Sequence, residues 1–128
     1  MAKTVIIIDD DQDDLDIMKQ AIKSVDPDLL CISFIYAEEA LRLLLSKELV
    51  VLPDFIFIDI NMPGITGDKC LKALRSRVEF DEIAIALYST SMPETVAEAL
   101  KTAGADFVFE KPVRLKTYSE ILKKILTD

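Results

Sequence analysis

The sequence of 128 residues contains no histidine, no tryptophan and only three glycines. The absence of histidine excludes a Ser-His-Asp or Cys-His catalytic centre, and it also excludes a phosphohistidine on this chain. The three glycines, Gly64, Gly67 and Gly104, do not have the spacing of a GxGxxG turn or of a P-loop. Any covalent chemistry must therefore use a carboxylate, a hydroxyl, a lysine or a thiol.

Cysteine and positive charge are scarce as well. Cys31 and Cys70 lie in apolar stretches without the spacing of a zinc site or a redox pair, so we expect reduced, buried thiols. The formal net charge of -8 disfavours direct binding to nucleic acid or to an anionic membrane, because Lys and Arg hold phosphate groups. A protein partner with a basic surface fits this charge better.

Targeting and membrane-spanning segments are also missing from the sequence. The start, MAKTVIII, is too short and becomes acidic too soon for a signal peptide, and no apolar run approaches the length of a membrane span. We therefore expect a cytoplasmic protein. A length of 128 residues with 51% hydrophobic residues predicts one compact domain over residues 1–128, with no output domain beside it.

The apolar residues alternate between two patterns along the chain. Five short runs are rich in Ile, Val and Phe and do not alternate in polarity, which is typical of strands covered on both faces. The segments between them have helical spacing, so the sequence predicts five βα units, a parallel sheet and helices on both of its faces. The predicted strands are Val5–Ile8, Leu30–Tyr36, Phe55–Ile58, Ile83–Tyr88 and Phe107–Phe109.

Aspartates follow the first and third predicted strands. Asp9 and Asp10 directly follow the first strand, and Asp59 ends the third. Such strand ends meet in the crevice where open α/β sheets bind ligands. Neighbouring carboxylates raise one another's pKa unless a cation lies among them, and an incomplete set of oxygen ligands suits Mg²⁺. Asn61, in the tight turn after Asp59, could add its carbonyl oxygen to the metal.

The acids just after Asp10 have a structural explanation. Asp11 is expected to be the N-cap of the first helix, and Asp13 and Asp14 are expected to balance the positive helix N-terminus in its first turn. Ser91 and Glu94 match a capping box for the fourth helix. That assignment leaves Ser89, at the end of the fourth strand, free for chemistry, and Lys111 follows the fifth strand just before Pro112.

These clusters, taken in order, resemble the receiver domain of two-component response regulators over essentially the whole chain. The resemblance rests on the acidic pair Asp9 and Asp10, on Asp59 followed by Met62-Pro63, on Ser89, and on Lys111-Pro112. It implies a flavodoxin-like α/β fold, a doubly wound five-stranded parallel sheet of (βα)5 type. A single motif of this kind is weak evidence for the family, whereas four motifs in order at strand ends are specific evidence for it.

The resemblance also implies a chemical mechanism. Asp59 would take a phosphoryl group from a phosphohistidine on a sensor histidine kinase or a histidine phosphotransfer protein. Mg²⁺ would be held by Asp10, Asp59 and the Asn61 carbonyl, with Asp9 reaching it through water, while Ser89 and Lys111 would bind the other phosphoryl oxygens. The output would pass to an unidentified downstream protein through phosphorylation-dependent contacts, and the chain would turn over no substrate. A weak homodimer stays open as a second kind of partner.

Three positions, Val108, Thr90 and Thr66, depart from the family pattern, and two alternatives stay open. Val108 stands three residues before Lys111, where the family usually has an aromatic switch residue, so the rotation of that aromatic does not carry over. The first alternative is a phosphate-independent binding module of the same fold. The second is a phosphatase of the haloacid dehalogenase type, in which Asp9 and Asp11 form a DxD motif and Asp9 is the nucleophile.

Overall fold

Strands and helices alternate along the whole of the computed structural model, which describes residues 3–46 and 52–127. The other residues of the predicted domain, 1–2, 47–51 and 128, lie outside this description. All five predicted strands are present, with bounds that differ from the predictions by no more than two residues. The strands are β1 (Thr4–Ile8), β2 (Leu30–Phe34), β3 (Phe55–Asp59), β4 (Ala84–Ser89) and β5 (Phe107–Glu110). The helices are α1 (Gln12–Val25), α2 (Ala37–Leu45), α3 (Gly67–Arg75), α4 (Glu94–Thr102) and α5 (Leu115–Leu126), with a short 3₁₀ helix at Val78–Phe80.

The sheet is parallel throughout, with the strand order β2-β1-β3-β4-β5. After β1 the chain passes to β2 on one side, and after β2 it returns to β3 on the other side of β1. The strand order therefore reverses at β1 and β3, and ligands of open α/β sheets bind in the crevice beyond such a reversal. The flavodoxin-like doubly wound fold is confirmed.

Alternation along the central strands divides the core into two layers. In β3, Phe57 faces a cluster that includes Leu15 of α1 and Leu122 of α5. Its neighbour Ile58 faces the opposite cluster, with residues of α2, α3 and α4 such as Leu71. Successive side chains of a strand point to opposite faces, so an uninterrupted apolar run is the pattern that a sheet covered on both sides requires. None of the helices in the described ranges combines the length and apolar character needed to cross a membrane.

The helix starts confirm one predicted cap and correct another. Asp11 is the N-cap of α1, and its carboxylate accepts hydrogen bonds from the backbone N–H groups of Asp13 and Asp14. The capping box predicted for Ser91 and Glu94 is wrong, because α4 begins at Glu94 with Pro93 as its N-cap. A capping box from Ser91 would put Met92 in helical conformation directly before a proline, and the proline ring disfavours that conformation.

The two thiols differ in burial. Cys70 is buried in α3, and burial raises the pKa of its thiol to about 11. Cys31 is half-buried on β2, so the expectation of a fully buried thiol is wrong at that position. Strand β2 is an edge strand, and among the described strands it pairs only with β1. Side chains on an edge strand have fewer neighbours, so Cys31 stays partly exposed.

Candidate functional site

The polar residues that follow the strands meet at one edge of the sheet. Strands β1, β3, β4 and β5 are consecutive neighbours, so their carboxyl ends bring together Asp9, Asp59, Ser89 and Lys111. Asp9, Asp59 and Ser89 are the buried polar residues of the described chain, with relative exposures of 0%, 5% and 1%. Buried polar side chains are costly unless they are paired, so this group is built around its mutual contacts.

Three carboxylates form a compact cluster. Asp9, Asp10 and Asp59 each offer an oxygen within 4.8 Å of the other two. Burial raises the pKa of the Asp9 carboxyl to about 6, and the charge of Asp59 adds to this rise, although the hydrogen bond from the Asp11 backbone lowers it. The cluster therefore repels itself electrostatically, and a divalent cation among its oxygens would relieve that repulsion. Such an oxygen-only set matches the ligand preference of Mg²⁺.

Lys111 neutralises part of this negative charge. Its ammonium lies 3.2 Å from Asp59 Oδ2 and 3.4 Å from Asp9 Oδ2. Its shortest contact is with Asp14 Oδ2, at 2.6 Å. Burial lowers the pKa of Lys111, but the hydrogen bond to Asp14 and the charges of Asp9 and Asp59 outweigh it, so the pKa lies above its usual value. The side chain is therefore a permanent cation beside the candidate phosphoacceptor.

Asn61 contacts both Asp59 and Ser89. The Asn61 side-chain amide donates to Ser89 Oγ at 2.7 Å, and the Asn61 backbone N–H donates to Asp59 Oδ1 at 3.1 Å. The carbonyl of Ser89 accepts from the backbone N–H of Lys111 at 2.8 Å, which ties the ends of β4 and β5 together. All of the site residues predicted from the sequence thus lie at this edge of the sheet. The chemical role of each residue stays a prediction.

The loop from Asp59 to α3 depends on close backbone packing. A Cβ atom on Gly67 would lie 2.6 Å from the Asp59 carbonyl oxygen, a distance that real Cβ atoms do not reach. The Gly67 backbone N–H donates to the carbonyl of Ile60, and the Ile60 N–H donates to the carbonyl of Tyr88. Gly64, in the turn after Met62-Pro63, has a φ of 79°, which favours glycine. These contacts hold Asp59 and Asn61 in a fixed turn over β4.

Two residues of the site were missed by the sequence reasoning. Asp14 was assigned to the helix dipole, yet its carboxylate binds Lys111. Its position in the first turn of the helix after β1 is a signal for a place near the site, although no local pattern identifies its partner. The sequence pattern places Tyr88 in an apolar strand run, yet its hydroxyl donates to Asp9 Oδ2 at 2.8 Å. Its hydroxyl within a buried run was the available signal, since a buried hydroxyl requires a partner.

The aromatic ring of Tyr88 also contacts the lysine. Lys111 Nζ lies 5.1 Å from the ring centroid, within the range of a cation–π interaction. Burial raises the pKa of the Tyr88 hydroxyl well above its usual value, and the charge of Asp9 acts in the same direction. The hydroxyl is therefore a neutral donor to the Asp9 carboxylate.

Known proteins with a similar sequence or structure include several response regulators. Stress response regulator protein 1 of Clavispora lusitaniae is 28% identical over 120 residues, which cover 94% of this chain and 61% of that protein. The phosphorylated cyanobacterial phytochrome response regulator RcpA has a TM-score of 0.86 and 20% identity, over 98% of this chain and 91% of that one. The Mn²⁺-bound form of response regulator Rcp1 has a TM-score of 0.83 and 20% identity, over 98% and 92%.

The structural likenesses establish the fold, and the family model establishes membership. This model, for the response regulator receiver domain, matches residues 5–123, which include the aspartates, the serine and the lysine described above. With that match, the chain belongs to the response regulator receiver domain family, a family of signalling modules.

Proposed function

We propose that Asp59 is the phosphoacceptor of this receiver domain and that a phosphohistidine on a histidine kinase or a phosphotransfer protein is the donor. The observation that carries this proposal is the Lys111 ammonium 3.2 Å from the Asp59 carboxylate, inside the three-aspartate cluster. An Asp59 oxygen attacks phosphorus, the phosphorus–nitrogen bond breaks, and the donor histidine keeps the electron pair. The absence of histidine from this chain agrees with a donor in trans.

The proposal assigns a divalent cation, Mg²⁺, to the acidic cluster. The cluster fits such an ion, because its buried carboxylates repel one another and all three offer oxygens within a short span. Asp10, Asp59 and the Asn61 carbonyl would hold the ion, and Asp9 would act through a water molecule. When bound, the ion neutralises charge on the transferred phosphoryl group.

Lys111 and Ser89 complete the proposed chemistry. Transfer gives Asp59 additional negative charge. The Lys111 cation would stabilise this charge, since its ammonium already lies beside the Asp59 carboxylate. The Ser89 hydroxyl, held by Asn61 at the end of β4, would donate to a second phosphoryl oxygen. Catalysis of phosphoryl transfer depends mostly on such positioning and charge stabilisation. We propose that these residues assist a single modification and its reversal, and that the chain turns over no substrate.

The two alternatives make different demands on the site. A phosphatase that used Asp9 as nucleophile would need that carboxylate to reach a substrate, but Asp9 has no exposed surface and both of its oxygens accept hydrogen bonds. The intact set of Asp10, Asp59, Ser89 and Lys111 argues against a phosphate-independent module. The match covers 61% of the length of the Clavispora lusitaniae protein. The downstream partner, the weak homodimer and the number of domains therefore stay predictions.

Treatment with acetyl phosphate and Mg²⁺, followed by mass spectrometry, tests the proposal. We expect wild-type protein to gain one phosphoryl group that maps to Asp59, and we expect Asp59→Asn to gain none, because an amide is not a nucleophile here. Asp68→Asn is the matched control, since Asp68 is an exposed aspartate in the first turn of α3. Stoichiometric labelling of Asp59→Asn would overturn the assignment.

Two further outcomes would favour the alternatives. A wild-type protein that stays unlabelled with acetyl phosphate, phosphoramidate and a phosphorylated kinase would favour the phosphate-independent module. Steady release of phosphate from phosphate esters, lost in Asp9→Asn but kept in Asp59→Asn, would favour the phosphatase.

A further inference from the structure

Tyr88 is a fully buried residue at the carboxyl end of β4, next to Ser89. In the sheet it is paired with Asp59 on β3, so its backbone is part of the wall of the site. Its hydroxyl crosses to β1 and donates to Asp9 Oδ2 at 2.8 Å. One side chain of β4, the strand next to that of the proposed phosphoacceptor, thus contacts the first acid of the proposed metal site.

The Asp9 carboxylate is held from two sides. Its Oδ1 accepts from the Asp11 backbone N–H at 3.0 Å, and its Oδ2 accepts from Tyr88. Lys111 is farther from Oδ2, at 3.4 Å, and is shared with Asp14 and Asp59. The two hydrogen bonds fix both the rotation and the position of the carboxylate, and Tyr88 supplies the side-chain half of that restraint.

The tyrosine ring is itself held in place. It stacks on Phe109 with ring centroids 5.5 Å apart and an angle of 10° between the planes. Phe109 meets Tyr118 edge-on at 6.1 Å, which gives an aromatic row beneath the site. Ring packing of this kind limits the movement of the hydroxyl, so the hydrogen bond to Asp9 is preorganised.

We propose that Tyr88 is a positioning residue of the metal site, which orients the Asp9 carboxylate toward the water molecule through which Asp9 would hold Mg²⁺. The inference rests on the proposed function, because it assumes that the three-aspartate cluster binds the cation. Groups that hydrogen-bond a metal-binding side chain fix its orientation, and their removal typically lowers metal affinity by about 10-fold to 100-fold. Here the hydroxyl also satisfies an oxygen that would otherwise be buried with only a distant, shared lysine.

Tyr118 offers a matched control. It is a buried tyrosine at the other end of the same aromatic row, and its hydroxyl has no hydrogen-bond partner among the described residues. Tyr118→Phe and Tyr88→Phe each remove one buried hydroxyl and keep the ring. Only Tyr88→Phe removes a hydrogen bond to Asp9.

Isothermal titration calorimetry with MgCl₂ on the full chain tests the inference. We expect Tyr88→Phe to weaken Mg²⁺ binding by about 10-fold or more, and we expect Tyr118→Phe to bind like wild type. Equal affinity of Tyr88→Phe and wild type would overturn the positioning role while leaving the proposed function intact. A wild-type protein that binds no Mg²⁺ would overturn the metal site itself, and the positioning role with it.

A double-mutant cycle separates positioning from a general structural effect. In an Asp9→Asn background, we expect Tyr88→Phe to change Mg²⁺ affinity by less than about twofold, because the carboxylate that Tyr88 orients is gone. The same loss of affinity in both backgrounds would show that Tyr88 acts through the fold and would overturn the proposal. Thermal unfolding without Mg²⁺ checks that each variant is folded at the titration temperature.

Discussion

At the scale of single residues, Lys111 contacts two carboxylates, Asp9 and Asp14, in addition to the proposed phosphoacceptor Asp59. Its ammonium is nearer to Asp14, at 2.6 Å, than to Asp59, at 3.2 Å. Asp14 is partly exposed in the first turn of α1, whereas Asp59 is buried. After transfer to Asp59, the phosphoryl oxygens and the Asp14 carboxylate would compete for the same ammonium group. We therefore interpret Asp14 as the partner that holds Lys111 before phosphorylation.

Removal of the Asp14 charge should speed phosphorylation. We expect Asp14→Asn to be labelled by acetyl phosphate about fivefold faster than wild type, because the variant frees Lys111 and lowers the barrier by about 1 kcal/mol. The measurement is the initial rate of aspartyl phosphate formation at saturating Mg²⁺. Asp13→Asn, an exposed neighbour in the same turn, is the control and should match wild type. Slower labelling of Asp14→Asn would mean that Asp14 positions the lysine instead of competing for it.

At the scale of secondary structure, β5 shows which face of the sheet Val108 occupies, the position where an aromatic switch residue is expected in the family. Val108 is half-buried and packs with the α2, α3 and α4 layer of the core. Phe107 and Phe109 pack with the α1 and α5 layer, because neighbouring residues of a strand face opposite sides. The face that in the family holds the aromatic therefore has a valine, and neither flanking phenylalanine can replace it without a change of register.

At the amino ends of the strands, the side chain of Arg75 connects two loops to α3. Arg75, at the end of α3, donates to the carbonyls of Gly104, Phe80 and Ile83 and forms an ion pair with Asp106 at 2.8 Å. These partners precede β4 and β5, so the arginine ties the loops at the amino ends of two strands to α3. Its planar fork of donors matches this arrangement, and a lysine has no comparable geometry.

Arg75→Lys should therefore destabilise the protein without changing the site. We expect the free energy of unfolding to fall by about 2 to 4 kcal/mol, because carbonyls that accept from Arg75 lose their donor. Urea unfolding measures this change, with Arg42→Lys, on the exposed face of α2, as the control. The rate of labelling at Asp59 should stay at the wild-type value. A loss below about 0.5 kcal/mol would show that the arginine network contributes little.

At the scale of the whole molecule, the site works against stability. The chain has a net charge of -8, and part of its negative charge is concentrated in a cluster of two buried aspartates, Asp9 and Asp59, and one exposed aspartate, Asp10. The pKa of Asp9 is about 6 in the folded protein and 3.8 for the free side chain, so the folded state binds a proton more tightly than the unfolded state. The stabilising contribution of protonated Asp9 is complete below about pH 4 and is lost as the pH rises through about 6.

The pH dependence of Asp9→Asn tests this charge cost. Without Mg²⁺, we expect the stability of Asp9→Asn relative to wild type to rise by on the order of 1 to 3 kcal/mol as the pH rises from 4 to 7. Thermal or urea unfolding at several pH values gives the difference, and Asp68→Asn should show no such trend. Saturating Mg²⁺ should reduce the advantage of Asp9→Asn, because the ion binds the native site of wild type. A difference that is constant with pH would contradict the raised pKa of Asp9.

Much of the fold and part of the site followed from the sequence alone. Five apolar runs and the helical spacing between them determined a parallel sheet with helices on both faces, because the period of burial is a local property of a strand or a helix. Asp9, Asp59, Ser89 and Lys111 could be nominated because the carboxyl ends of parallel strands share one edge. The N-cap at Asp11 was equally local, since a cap bonds to its own helix.

The tertiary structure alone decided which side chains touch across strands. Tyr88 and Asp9 are 79 residues apart, and Lys111 and Asp14 are 97 apart, so no local pattern could pair them. Two features of the fold set those pairs. They are the strand order and the side of the sheet that each residue at the ends of β4 and β5 faces. The sequence by itself thus determined where charges gather, and packing in three dimensions decided which of them neutralise, orient or compete with one another.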